Sequence, residues 1–143
     1  MSPPILAPAA VLVLWSVVVL FWVMFTRFPA FKNAGVDLTT TPPGGRYQDL
    51  ESAMPAKVNW ISHNYSHLME QPTLFYAVIV ILALAGDSSA TSLALAWTYC
   101  ALRIVHSLWQ NLVNTIPVRF TLFLLSSLCL LGLALKAVYL TLG

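Results

Sequence analysis

The sequence predicts an all-α integral membrane protein, one domain over residues 1–143 built as a bundle of four hydrophobic helices. Three observations lead there. Hydrophobic residues make up 59% of the chain and charged ones 8%, far below the roughly one quarter usual in water-soluble domains. Four apolar runs, at about 5–26, 66–85, 90–112 and 118–140, each reach the roughly 20 residues that cross about 30 Å of hydrocarbon. Finally, the ionisable side chains gather at one end of these runs instead of scattering along them.

The first run has no basic residue before it, exceeds a typical signal-peptide core and lacks a small-x-small cleavage site. It therefore reads as a retained helix. Pro8 falls in its first turns, where a missing amide hydrogen costs least. The connection at about 27–60 carries Pro29, Gly35, the Thr39–Gly45 cluster with Pro42 and Pro43, and Pro55, and reads as a long loop. After the second run, Gly86-Asp87-Ser88-Ser89 makes a short polar turn with Ser88 or Ser89 as N-cap. Asn114-Thr115-Ile116-Pro117 makes the next, with Pro117 suited to the first position of the last helix. Links this short predict antiparallel neighbours. Cys100 and Cys129 lie in apolar runs with no metal or redox spacing and read as packing residues.

Seven basic and five acidic residues, net +2, make no nucleic-acid footprint, so no nucleic-acid partner is expected. Their placement does predict orientation. Arg27, Lys32, Arg46 and Lys57 flank or fill the long connection, and Arg103 and Arg119 flank the Asn114 turn, while the Gly86 turn holds only Asp87. The positive-inside rule then puts the long loop in the cytoplasm and both termini outside. Lys136 dissents, but its long stem can snorkel.

Ionisable groups inside membrane helices are costly, so they face a protein interior or a wet cavity. Arg103, His106 and Gln110 follow at steps of three and four on one helix face, with Asn114 beyond. His63, Asn64, His67 and Glu70 recur similarly in the second helical region, Arg119 opens the fourth, and Arg27 closes the first. Together they predict one net-positive basin at the cytoplasmic ends, suited to an anionic small molecule. Other readings stay open. Arg27 fits headgroup anchoring as well as the basin. Arg103 and His106 fit helix-packing glue, with Glu70 as a buried partner, as well as ligand contact. His63, His67 and Glu70 have metal-compatible spacing, but no further motif supports it and no metal is expected. Trp60, Trp97, Trp109, Tyr65 and Tyr99 read as packing or interfacial residues.

Residues 64–76, with Glu70, Pro72 and Phe75, and 96–107, with Arg103 and His106, are followed by Asn114 and Val118-Arg119-Phe120. This pattern resembles the bacterial branch of the MAPEG family, the membrane-associated proteins in eicosanoid and glutathione metabolism. The resemblance spans about 5–140 and implies a homotrimer of four-helix subunits in a bacterial inner membrane. It implies glutathione as co-substrate, held between subunits near the cytoplasmic face, and a hydrophobic second substrate arriving through the lipid bilayer. By motif position the glutathione contacts fall on Arg27, His67, Glu70, Arg103, His106 and Gln110. Arg119 becomes the catalytic residue that stabilises the thiolate. The sequence departs from the eicosanoid enzymes at Ser66, His67 and Gln110, where they carry Arg, Asn and Tyr. Phe120 and Phe123 stand at positions that bear a hydroxyl in those enzymes. These departures keep a second class open beside a glutathione transferase or peroxidase: a non-catalytic membrane scaffold or accessory subunit with the same fold. A transporter or channel is disfavoured by four helices read as unbroken and without repeats.

Overall fold

A computed structural model of the chain describes residues 3–143. It is all-helical among these residues, but five helices stand where the sequence reading has four. They are α1 (Leu6–Asn33), α2 (Ala56–Leu68), α3 (Gln71–Leu84), α4 (Ala90–Leu112) and α5 (Ile116–Leu142), with a 3₁₀ segment at Tyr47–Ala53. The extra helix comes from a break at Met69–Glu70, where Glu70 adopts φ −87°, ψ −99°. Pro72 causes it: proline has no amide hydrogen for the carbonyl of Leu68, and its ring collides with that carbonyl in a continuous helix. The expectation of unbroken helices is thereby corrected, as is the start of the second helical region. Residues 56–65 are too polar to register as a membrane run, yet they form an amphipathic helix whose Ile61, Ser62 and Asn64 are buried.

The first helix also runs past its expected end at 26, through Arg27 and Pro29, to Asn33. It stops at Gly35, whose φ of +68° allows the Val36 amide to reach back to the Phe31 carbonyl at 3.0 Å. The long connection is correspondingly shorter, and its 3₁₀ segment folds onto the end of α1. Ala30, Phe31 and Met54 form a small buried cluster there with Tyr47 and Leu50 beside them.

Both short turns fall where expected. Asn114 takes a left-handed conformation, φ 61°, which asparagine tolerates. Its amide meets the Trp109 carbonyl at 2.8 Å. The bundle packs α4 along α5 and against α1 and α2, while α3 lies against α5 and α1. The core runs through Leu12, Phe75, Ile79, Leu82, Ala96, Tyr99 and Leu133, with the Phe75 and Tyr99 rings stacked 4.2 Å apart.

The outer surface is strongly apolar. Leu14, Phe25, Leu84, Leu135 and Leu142 are all more than half exposed. A face of this extent is unstable in water and natural in lipid. Three helical stretches are long and apolar enough to cross a membrane: Leu6–Asn33, Ala56–Leu84 and Ile116–Leu142. At 23 residues α4 has the length but not the hydropathy, because its buried face carries Arg103, His106, Ser107, Gln110 and Asn111.

Candidate functional site

The helix break organises the polar cluster. The break at Met69–Glu70 takes carbonyls at the end of α2 from their usual partners, and a buried helix end needs substitutes. The His67 carbonyl receives the Glu70 amide at 3.4 Å and Arg103 Nη2 at 3.2 Å. Arg103, on α4, thus caps the end of α2 from across the bundle. One level on, Gln71 bridges three helices: its Nε2 donates to Ser127 Oγ at 2.7 Å and its Oε1 accepts from Tyr99 at 3.3 Å.

Beside this break an open cleft of about 400 Å³ is lined by His67, His106, Ile116, Arg119, Phe120 and Phe123. The His67 ring is fixed on several sides. Its Nδ1 donates to Glu70 Oε2 at 2.8 Å, and its face lies 5.1 Å from the His106 ring and 5.5 Å from Phe123, centroid to centroid. Arg119 Nη1 donates to Asn114 Oδ1 at 2.7 Å, so the left-handed turn residue aims the guanidinium. The cleft therefore combines two imidazoles and a cation with the apolar side chains of Ile116, Phe120 and Phe123.

Arg103 stands behind that wall. It is wholly buried, its Cζ lies 5.9 Å from the Phe123 ring, and its Nε and Nη1 have no hydrogen-bond partner among the described residues. The expected buried pairing with Glu70 does not form. Glu70 is two-thirds exposed and turns to His67, because the break swings it out of the helix line. Among the described residues the ion pairs are His63 with Glu51 and His67 with Glu70, so no carboxylate lies within ion-pair range of Arg103. Gln110, a turn beyond His106, is 2% exposed with Oε1 unpartnered.

Arg27 lies elsewhere. Its guanidinium sits 3.6 Å from the Tyr47 ring centroid and donates to Ser62, so the connection folded over α1 holds it. Tyr47 in turn donates to Asn59 Oδ1 at 2.6 Å, and Asn59 Nδ2 donates to the Glu51 carbonyl at 2.9 Å. Burial pushes the Tyr47 phenol above its ordinary value, so it is a neutral donor at physiological pH. His63 faces Glu51 at 2.8 Å in this same strap and not the cleft.

Of the seven residues singled out in the sequence, His67, His106 and Arg119 meet around one cleft, Glu70 and Arg103 adjoin it through His67 and Phe123, and Gln110 lies a turn further along α4 from His106. Arg27 does not line it. Sequence reasoning missed Ile116 as a wall residue and a buried relay in which Trp15 Nε1 and Asn64 Nδ2 both donate to Ser107 Oγ, at 2.9 and 2.7 Å. Asn64 was the visible half of that relay, whereas one serine in an apolar helix carries no signal.

A family model described as the MAPEG family matches residues 5–139. No curated protein and no solved structure matches the chain.

Proposed function

The chain belongs to the MAPEG family, and from that premise we propose that it is a membrane-embedded glutathione-binding protein. In this reading it is a glutathione transferase or peroxidase acting on hydrophobic electrophiles that arrive through the bilayer. One observation carries the reading. Arg103 is a fully buried cation with two unpartnered nitrogens and no carboxylate in ion-pair range, immediately behind a cleft that already holds Arg119. An uncompensated charge in such a place costs several kcal/mol unless an anion from outside the chain meets it. Glutathione has the matching chemistry: two carboxylates for the buried arginine and its cationic neighbours, an ammonium for Glu70, and a thiol. His106 and Gln110 add hydrogen-bonding groups beside them.

Arg119 is the group best placed to favour the thiolate, since its cation borders the open cleft. Ile116, Phe120 and Phe123 form an apolar wall for the second substrate. The reading includes a homotrimer whose neighbouring copies complete the cleft. It also places the strap and the Asn114 turn in the cytoplasm of a bacterial cell and both termini across the inner membrane, supported by Arg27, Lys32, Arg46, Lys57 and Arg119 at that end. Arg27 contributes to a ligand only after exchanging Tyr47 for it.

Calorimetric titration of glutathione into the detergent-solubilised protein tests the reading, with Arg119→Ala and Arg103→Met alongside. Saturable heat lost in both variants is expected; no heat from the unmodified protein overturns it. Phe120 and Phe123, which offer no hydroxyl to a thiolate, favour a second reading as a non-catalytic scaffold or accessory subunit. Arg119-dependent conjugation of a chromogenic electrophile removes that alternative.

A further inference from the structure

We propose that His67, oriented by Glu70, is the proton acceptor for the thiol in this cleft, and so a catalytic residue in its own right. The inference rests on the reading of the cleft as a glutathione site.

The cleft is lined by six residues, of which Ile116, Phe120 and Phe123 have no basic atom. Arg119 is permanently charged and cannot accept a proton near neutrality. Only the two imidazoles remain. They differ in what stands behind them. His67 Nδ1 is bonded to Glu70 Oε2 at 2.8 Å, whereas among the described residues no hydrogen bond holds either nitrogen of His106. A carboxylate on Nδ1 fixes that nitrogen as the donor, leaves the lone pair on Nε2, and stabilises the imidazolium formed when Nε2 is protonated.

The geometry is built in. His67 and Glu70 are three residues apart at the last turn of α2, so the helix end and the Pro72 break set their separation. The packing of His67 against His106 and Phe123 limits ring rotation. The charged and titratable groups facing His67 are Glu70 at the break, Arg103 and His106 from α4, and Arg119 from α5. Arg103 and Arg119 stabilise the thiolate that appears as His67 takes the proton, and the transfer leaves the net charge of the cleft unchanged. Glu70 is a positioning residue, acting through the imidazole.

The step balances without a redox partner. The S–H bond breaks, the proton passes to His67 Nε2, and the electron pair stays on sulfur. The thiolate forms a C–S bond with an activated aryl halide, whose halide departs with the displaced pair. The imidazolium then returns its proton to water.

The test is steady-state conjugation of a chromogenic aryl halide, run from acid to alkaline pH on the unmodified protein, His67→Asn, and Glu70→Gln. Glutathione binding by calorimetry and the ultraviolet absorbance of bound thiolate are followed in parallel. For the unmodified protein, kcat/KM rises through one ionisation to a plateau. In His67→Asn the plateau falls about 10²–10⁴-fold and activity climbs with hydroxide instead, while glutathione still binds. Free imidazole in the buffer restores part of the rate, which a merely structural role of the side chain cannot produce. Glu70→Gln shifts the pH profile and lowers the plateau by less. If His67→Asn binds and conjugates with the unmodified pH profile, His67 is not the acceptor. If the unmodified protein neither binds glutathione nor conjugates, the underlying reading fails and takes this one with it.

Discussion

Replacing Arg103 with methionine keeps an unbranched apolar stem and deletes a guanidinium that the chain leaves uncompensated. Two terms set the effect on stability. The variant loses the Nη2 bond to the His67 carbonyl, 3.2 Å long, which as a charged donor is worth about 1.5–3 kcal/mol. That carbonyl keeps the Glu70 amide at 3.4 Å, so the loss lies at the lower end. Against it stands the cost of holding an unpaired cation at 0% exposure, several kcal/mol after relaxation. The expected outcome is a ligand-free stability equal to that of the unmodified protein within about 1 kcal/mol, or higher. Ligand response moves the other way. Glutathione at about 100 times its Kd stabilises a binding protein by about 2.7 kcal/mol, which for a chain of this size is a rise of roughly 8 °C in Tm. The methionine variant loses that rise. Thermal unfolding in detergent, followed by circular dichroism with and without glutathione, reads both effects. A ligand-free variant melting more than roughly 5 °C early refutes the reasoning, because Arg103 then has a partner in the assembled protein. A preserved glutathione shift refutes its role in the anion site.

The buried relay gives a second expectation: Ser107→Ala strands the Trp15 and Asn64 donors together, at about 1–3 kcal/mol each. Detergent-denaturation midpoints should fall accordingly, and adding Asn64→Leu should recover part of the loss. In the strap, Tyr47→Phe keeps the ring over Arg27 but loses the bond to Asn59, costing about 1 kcal/mol of local stability. Tyr47→Leu removes the ring as well, for a further 0.5–2 kcal/mol or so. Limited proteolysis of the Tyr47–Ala53 segment should therefore accelerate in that order. At the opposite end burial raises the Asp87 carboxyl, but the Ser89 amide, which donates to its Oδ1 at 3.0 Å, and the neighbouring Ser92 and Ser89 hydroxyls outweigh it and hold the group below its ordinary range. A depressed folded value means the stabilisation is present at neutral pH and is lost as pH falls through that value. Asp87→Asn should lower Tm at pH 7, and the difference should fade below about pH 4.

Much of the fold was legible in the chain because its causes are local. Transfer of apolar runs into lipid depends on composition over about 20 residues, and Gly86 and Asn114 end helices, and Pro117 opens one, through their own backbone preferences. The row of Arg103, His106 and Gln110 on one face follows from helical spacing alone. Residues 56–65 escaped because an amphipathic helix whose apolar face is covered by α1 and α4 needs no membrane-grade hydropathy. Pro72 was visible, but its consequence was not. Whether a proline ends, kinks or breaks a helix depends on what meets the freed carbonyls, and here that is Arg103, 36 residues away in sequence. The same holds for Arg27, which only the folded strap brings beneath Tyr47, and for Glu70, which the break turns from Arg103 to His67. Sequence by itself determined which segments are apolar, where they turn and which polar residues share a helix face. Tertiary structure decided who pairs with whom, because hydrogen bonds and ion pairs act over about 3–4 Å, a distance that no spacing along one helix sets between two.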